Sequence, residues 1–221
     1  MRKRILWLTL FGVTMGYFEA AVVVYLRALY YPDGFQFPLV LISGTVALVE
    51  LGREFVSLLM LLSVAWIAGR SAWERFAHFC FLFGVWDIFY YVFLKATLDW
   101  PPSLGTWDVL FLLPTVWTGP VWAPIVVSLS LIGGALFMDW LVEKRYAFSF
   151  PKWLWAVEIA AGLLVILSFT KDAPEVIRGG VPENFAAGLF WAGEGLGIFG
   201  FLYGARTIVR RHRARFAESW R

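Results

Sequence analysis

Three ionisable side chains, Glu50, Arg53 and Glu54, stand inside an apolar run that extends from Pro38 to Gly69. At about 100° per residue they share one helix face within a single turn. The run is too long and too apolar for a surface helix, so the patch is expected at membrane depth. Each charge placed there costs about 2.5–3.5 kcal/mol. A chain that carries three such groups needs partners for them on other segments.

The other segments repeat the pattern. Of 221 residues, 60% are hydrophobic and only 16% charged, with a mean hydropathy of +0.71. That is the composition of a polytopic membrane protein rather than of a soluble domain. Apolar runs predict an all-α fold of six transmembrane helices in a single domain over 1–221, with spans at about 5–29, 37–68, 76–95, 121–142, 153–170 and 185–208. Met1-Arg2-Lys3-Arg4 precedes an apolar stretch longer than a signal peptide needs, with no small-residue cleavage site after it, so it reads as an uncleaved first span. Gly12, Gly16 and Ala20 recur every four residues in that span and form a stripe on which another helix can pack closely. Arg27, near its far end, is expected to snorkel to the headgroups.

Between 99 and 124 helical periodicity stops. Pro101, Pro102, Pro114, Pro120 and Pro124 bar a continuous helix, yet Val109-Leu110-Phe111-Leu112-Leu113 is apolar and four tryptophans punctuate the segment. An interfacial or re-entrant segment between the third and fourth spans is expected there.

With six spans both termini share a side. Arg2, Lys3, Arg4, Arg70, Arg75, Lys144, Arg145, Lys152, Arg206, Arg210, Arg211, Arg213, Arg215 and Arg221 then fall on it, against Lys95, Lys171 and Arg178 opposite. By the positive-inside rule the chain belongs in a bacterial-type cytoplasmic (inner) membrane with both ends in the cytoplasm. Because the basic residues mark helix ends, the net charge of +3 does not indicate a nucleic-acid partner.

Counting along the spans at about 1.5 Å per residue brings Glu19, Glu50, Arg53, Glu54, Asp87 and Glu194 to one level near the midplane. These are the candidate ion, proton or substrate-binding residues, with Trp86, Tyr90 and Tyr91 lining their pocket. If all five carboxylates ionised, Arg53 would offset one of them. Low-dielectric burial and mutual repulsion forbid the rest, so protons or a cation must join the group, and their titrations are coupled.

Each residue also has a plainer reading. Glu50, Arg53 and Glu54 form a self-neutralising helix contact, and Asp87 is a buried acid hydrogen-bonded to Tyr91. The glycines around Glu194 serve either local unwinding or close packing. Glu158, near Lys152, reads as interfacial, and Asp139 and Glu143 as solvated. His78, about 13 Å along the helix from Asp87, is not expected in the cluster.

Composition also excludes several chemistries. Two histidines, His78 and His212, argue against a histidine-rich zinc site and against a bis-histidine haem within one chain, and the single cysteine can make no internal disulfide. No Glu-x-x-His, Gly-x-Ser-x-Gly, His-Glu-x-x-His or phosphate-loop motif occurs. No cofactor is expected. A hard cation suits the carboxylates better than a soft metal.

The leading expectation is therefore a transporter or ion-conducting protein whose partners are membrane lipids and a small ion or molecule. The alternatives are an intramembrane enzyme using paired acids on a lipid or quinone, and a non-catalytic subunit of a membrane complex or homo-oligomer.

Overall fold

A computed structural model describes residues 2–40, 42, 44–146 and 150–218, with side chains as far as His212. Arg221 and the side chains of Arg213 and Arg215, used above for orientation, lie outside the described residues. The chain forms long helices α1 (Arg2–Tyr30), α2 (Gly44–Ala68), α3 (Ala72–Leu98), α4 (Trp122–Glu143), α5 (Lys152–Thr170) and α7 (Ala187–Glu218), a single-turn α6 (Ala173–Ile177), and two strands, β1 (Trp107–Phe111) and β2 (Trp117–Pro120). Five segments, α1 to α4 and the stretch Lys152–Ile177, are long and apolar enough to cross a membrane. Much of their large apolar surface faces outward, including Leu6, Trp7, Leu48, Ile67 and Leu163. Outward-facing apolar side chains suit lipid contact.

Local chemistry sets the helix ends. Ser71 caps α3 by accepting from the Glu74 N–H at 3.2 Å, while the Glu74 carboxylate accepts from the Arg70 N–H at 2.6 Å, a variant of the capping box. Helix α2 begins at Gly44 rather than near Phe37, and residues 31–40 form turns, bends and irregular backbone instead.

Helix α3 is the hub, packed against α1, α2 and α4, and α5 pairs with α7. The Gly12/Gly16 stripe packs as the spacing predicts. A methyl group on Gly16 would come within 2.9 Å of the Trp86 carbonyl and of the Tyr90 nitrogen. One core, with Leu8, Met15, Leu61, Leu82, Trp86 and Met138, fills the space among α1 to α4. A smaller one joins Ala123, Phe169 and Phe190 under Trp117 and Trp122.

The Pro/Trp-rich segment is an antiparallel β-hairpin. Trp107 pairs with Pro120, Asp108 with Gly119, Val109 with Thr118 and Phe111 with Trp117, with an irregularity between Val109 and Phe111. Prolines exclude the helical hydrogen-bond ladder, and cross-strand pairing satisfies much of the backbone instead.

Candidate binding cavity

Gly16 lets α1 lie directly on the α3 backbone, and Glu19, almost one turn further along α1, lies beside Trp86. From α2, Arg53 reaches across to Glu19, with Nη1 donating to Oε1 at 3.0 Å, while its Nε donates to Glu50 at 2.9 Å. One planar guanidinium thus ties two carboxylates, a geometry a lysine cannot reproduce. Glu54, one residue further, takes other hydrogen-bond partners. Its two oxygens accept from the backbone N–H groups of Leu112 and Leu113 at 2.8 and 2.9 Å, at the end of β1. An acid near the middle of α2 therefore holds the hairpin tip.

On α3, Asp87 accepts from the Ser128 hydroxyl of α4 at 2.8 Å. No basic side chain among the described residues bonds to it.

Arg27 does not snorkel outward. It is buried, its Nη2 donates to Asp108 Oδ1 at 3.2 Å, and its guanidinium lies 3.7 Å from the Trp100 ring centre and 4.6 Å from that of Phe35. Burial pushes the Asp108 carboxyl up to about 6, with Arg27 acting in the opposite direction. The Tyr90 hydroxyl donates to the other Asp108 oxygen at 3.4 Å. Sequence reasoning passed over both Asp108 and the pairing of Arg27, because the partner lies on a strand from a segment without helical period. The alternation around Thr106-Trp107-Asp108-Val109 was the available signal.

These groups line a cavity of about 350 Å³ between α1, α2, α3 and β1, with Tyr31 and Phe35 from the loop after α1 lining it as well. Glu19, Glu50, Arg53, Glu54, Asp87, Trp86, Tyr90 and Tyr91 all line it, together with Arg27 and Asp108. No known protein family matches this chain, and neither does any curated protein or solved structure. What the cavity can bind follows from its own residues alone. Among the described residues no three acidic, histidine or cysteine groups are arranged to hold a metal ion.

Glu194 lies elsewhere. It accepts from Ser130 at 3.1 Å on another side of α4, and Gly193, Gly200 and Gly204 of α7 are spent on contacts with α5 and Phe150. Close packing is thus the reading of those glycines that the contacts favour. Glu158 lies against Gly200, where a methyl would meet its Oε1 at 2.5 Å.

Asp139 is not solvated. It is buried at the other end of the bundle, bonded to Arg4 at 2.6 Å and to His78 at 3.4 Å, and Arg4 also reaches Glu74 at 3.3 Å. Glu143 is exposed. His78 is thereby committed to a second polar cluster and takes no part in the cavity.

Proposed function

We propose that this protein is a carrier or ion-conducting protein of a bacterial-type inner membrane whose internal cavity binds and moves protons or a cation. The observation that carries the reading is the charge count at the cavity wall. Glu19, Glu50, Glu54, Asp87 and Asp108 face Arg27 and Arg53, so five acids meet two permanent cations and three negative charges are left over if all ionise. In a low-dielectric interior that excess must be met by protons or by a bound positive species. Separate partners for the individual acids reduce the desolvation cost without changing the count.

In this reading α7 is the sixth span. Glu194 and the glycines dilute its hydropathy, but it is 32 residues long and packs along α5, which is ample for a crossing at about 1.5 Å per residue. Both termini are then cytoplasmic by the distribution of basic residues. The hairpin is re-entrant, its tip meeting Glu54 near the middle of α2. Non-helical backbone is tolerated at such depth where protein satisfies it, and the Glu54 carboxylate does so for Leu112 and Leu113.

The test is proton and monovalent-cation flux in proteoliposomes for the wild type, Asp87→Asn and Glu54→Gln. Flux that is lost in Asp87→Asn supports the reading; unchanged flux in both variants removes it.

A second reading rests on the apolar character of most of the cavity wall, which includes Val23, Leu26, Leu51, Phe83 and Phe111. Such a wall also suits a lipid or quinone, with Asp87 and Asp108 as the acid and base of an intramembrane enzyme. Co-purified lipid that is chemically altered on incubation would favour it over transport.

A further inference from the structure

The excess of acid in the cavity says that something positive belongs there, but not what. Four observations narrow the class. The volume, about 350 Å³, far exceeds what a dehydrated metal ion fills, and among the described residues no three acidic, histidine or cysteine groups are arranged to hold one. Aromatic side chains line the wall, including Trp86, Tyr90 and Tyr91. Aromatic faces attract organic ammonium groups through the ring quadrupole and do little for a small hydrated ion that must keep its oxygen ligands.

The third observation is Asp87. Glu19 and Glu50 share Arg53, Asp108 has Arg27, and Glu54 has two backbone N–H groups, but Asp87 has only the Ser128 hydroxyl as a described hydrogen-bond partner. It is the acid with the greatest unmet demand for a counter-charge.

The fourth observation is independent of the acids. Arg27 lines the same cavity at 8% exposure, and its Nη1 is buried with no acceptor among the described residues. An unpaired charged donor in such a place costs free energy until an acceptor reaches it. A bare cation cannot satisfy it; an oxygen on the bound molecule can.

We infer that the cavity takes a small organic cation that also carries an oxygen acceptor, with its ammonium group at Asp87 against the aromatic wall and its acceptor at Arg27 Nη1. This inference rests on reading the cavity as a site for a positive species, and it goes further by excluding inorganic ions as the preferred occupant.

The test uses three probes of similar skeleton on the detergent-purified full chain, followed by calorimetry or by tryptophan fluorescence. Acetylcholine has both the quaternary ammonium and the ester carbonyl. Tetramethylammonium has the charge alone, and 3,3-dimethylbutyl acetate has the carbonyl and the shape without the charge. Acetylcholine is expected to bind saturably, and each of the other two about tenfold or more weaker. Asp87→Asn should weaken acetylcholine by about tenfold. Arg27→Lys keeps a charge for Asp108 but removes the second nitrogen, so it should weaken acetylcholine and leave tetramethylammonium unchanged.

Equal binding of the uncharged ester overturns the inference, as does absence of saturable binding by both quaternary ions. The wild-type probe series stands even if a variant fails to fold. Proton flux in proteoliposomes without any quaternary ammonium binding would sink this inference and leave the proposed function standing. Loss of both would remove the two together.

Discussion

Arg27 and Asp108, 81 positions apart in the chain, form an ion pair inside the protein, capped by the Trp100 ring on the guanidinium. The pair joins α1 to the hairpin and lines the cavity. Its weak point is Asp108, whose carboxyl burial pushes up to about 6. A carboxyl raised in the folded state favours folding below its ordinary value and loses that contribution as pH rises through about 6. Above that pH the ionised acid depends on Arg27. Arg27→Gln should therefore raise the Asp108 midpoint further and destabilise the protein by about 3–5 kcal/mol at pH 8, with a smaller loss at pH 5 where the acid is neutral. Isotope-edited infrared titration of the aspartate carboxyl band measures the midpoint, and a shift to lower pH in the variant would be the wrong sign.

Glu54 holds the hairpin by two bonds to consecutive backbone N–H groups. Alanine at this position leaves both donors without an acceptor, and bonds of this charge-assisted kind contribute about 1.5–3 kcal/mol each. Glu54→Ala is expected to cost about 2–4 kcal/mol and to accelerate hydrogen exchange at Leu112 and Leu113 while leaving the middle of α3 protected. Glutamine keeps one acceptor but presents an amide donor to the second N–H, so its effect should be intermediate. Exchange at the hairpin tip that does not change in Glu54→Ala would show that strand pairing alone holds the tip.

The contact of α1 with α3 depends on Gly16, where an added methyl meets backbone atoms of Trp86 and Tyr90 at 2.9 Å. Backbone cannot move aside as a side chain can, so Gly16→Ala should separate the helices locally and cost about 1–3 kcal/mol. Glu19, almost a turn away, should shift with it and lose part of its reach to Arg53. Gly52 provides the comparison within α2, since nothing lies within 4 Å of its added methyl. Gly52→Ala should be neutral or stabilising by about 0.5–1 kcal/mol from helix propensity. Thermal unfolding in a fixed detergent orders the two; equal melting temperatures would contradict the packing argument.

Hydropathy made legible five helices long and apolar enough to cross a membrane, because a 20-residue apolar run has few alternative uses. Small-residue spacing likewise exposed the α1–α3 contact through Gly12 and Gly16. The acids of α1, α2 and α3 could be placed together because helical rise converts residue number into depth. Depth, however, is only one coordinate. Whether two acids at the same level meet depends on how helices are arranged around the bundle, which no single sequence displays, and Glu194 was misplaced for that reason. Arg27 was misread because a lone basic residue near a helix end has an easy exit to the headgroups. Its partner Asp108 belongs to a hairpin whose pairing depends on contacts far apart in the chain.

Ser128 and Ser130 of α4 turn that lesson into a prediction. Two positions on a helix differ by about 200° in direction, so the hydroxyl that serves Asp87 and the one that serves Glu194 point to opposite sides of α4. The body of the helix lies between the two acids, and no shared proton or ligand can bridge them. Asp87→Asn should therefore abolish flux in proteoliposomes, whereas Glu194→Gln should retain it within about twofold and change stability by no more than about 1 kcal/mol, because the amide oxygen still accepts from Ser130. The double variant should behave as Asp87→Asn alone. If Glu194→Gln abolished flux while the protein remained folded, the pathway would have to pass α4 on its α7 side, and the cavity between α1, α2 and α3 would not be the whole of the route.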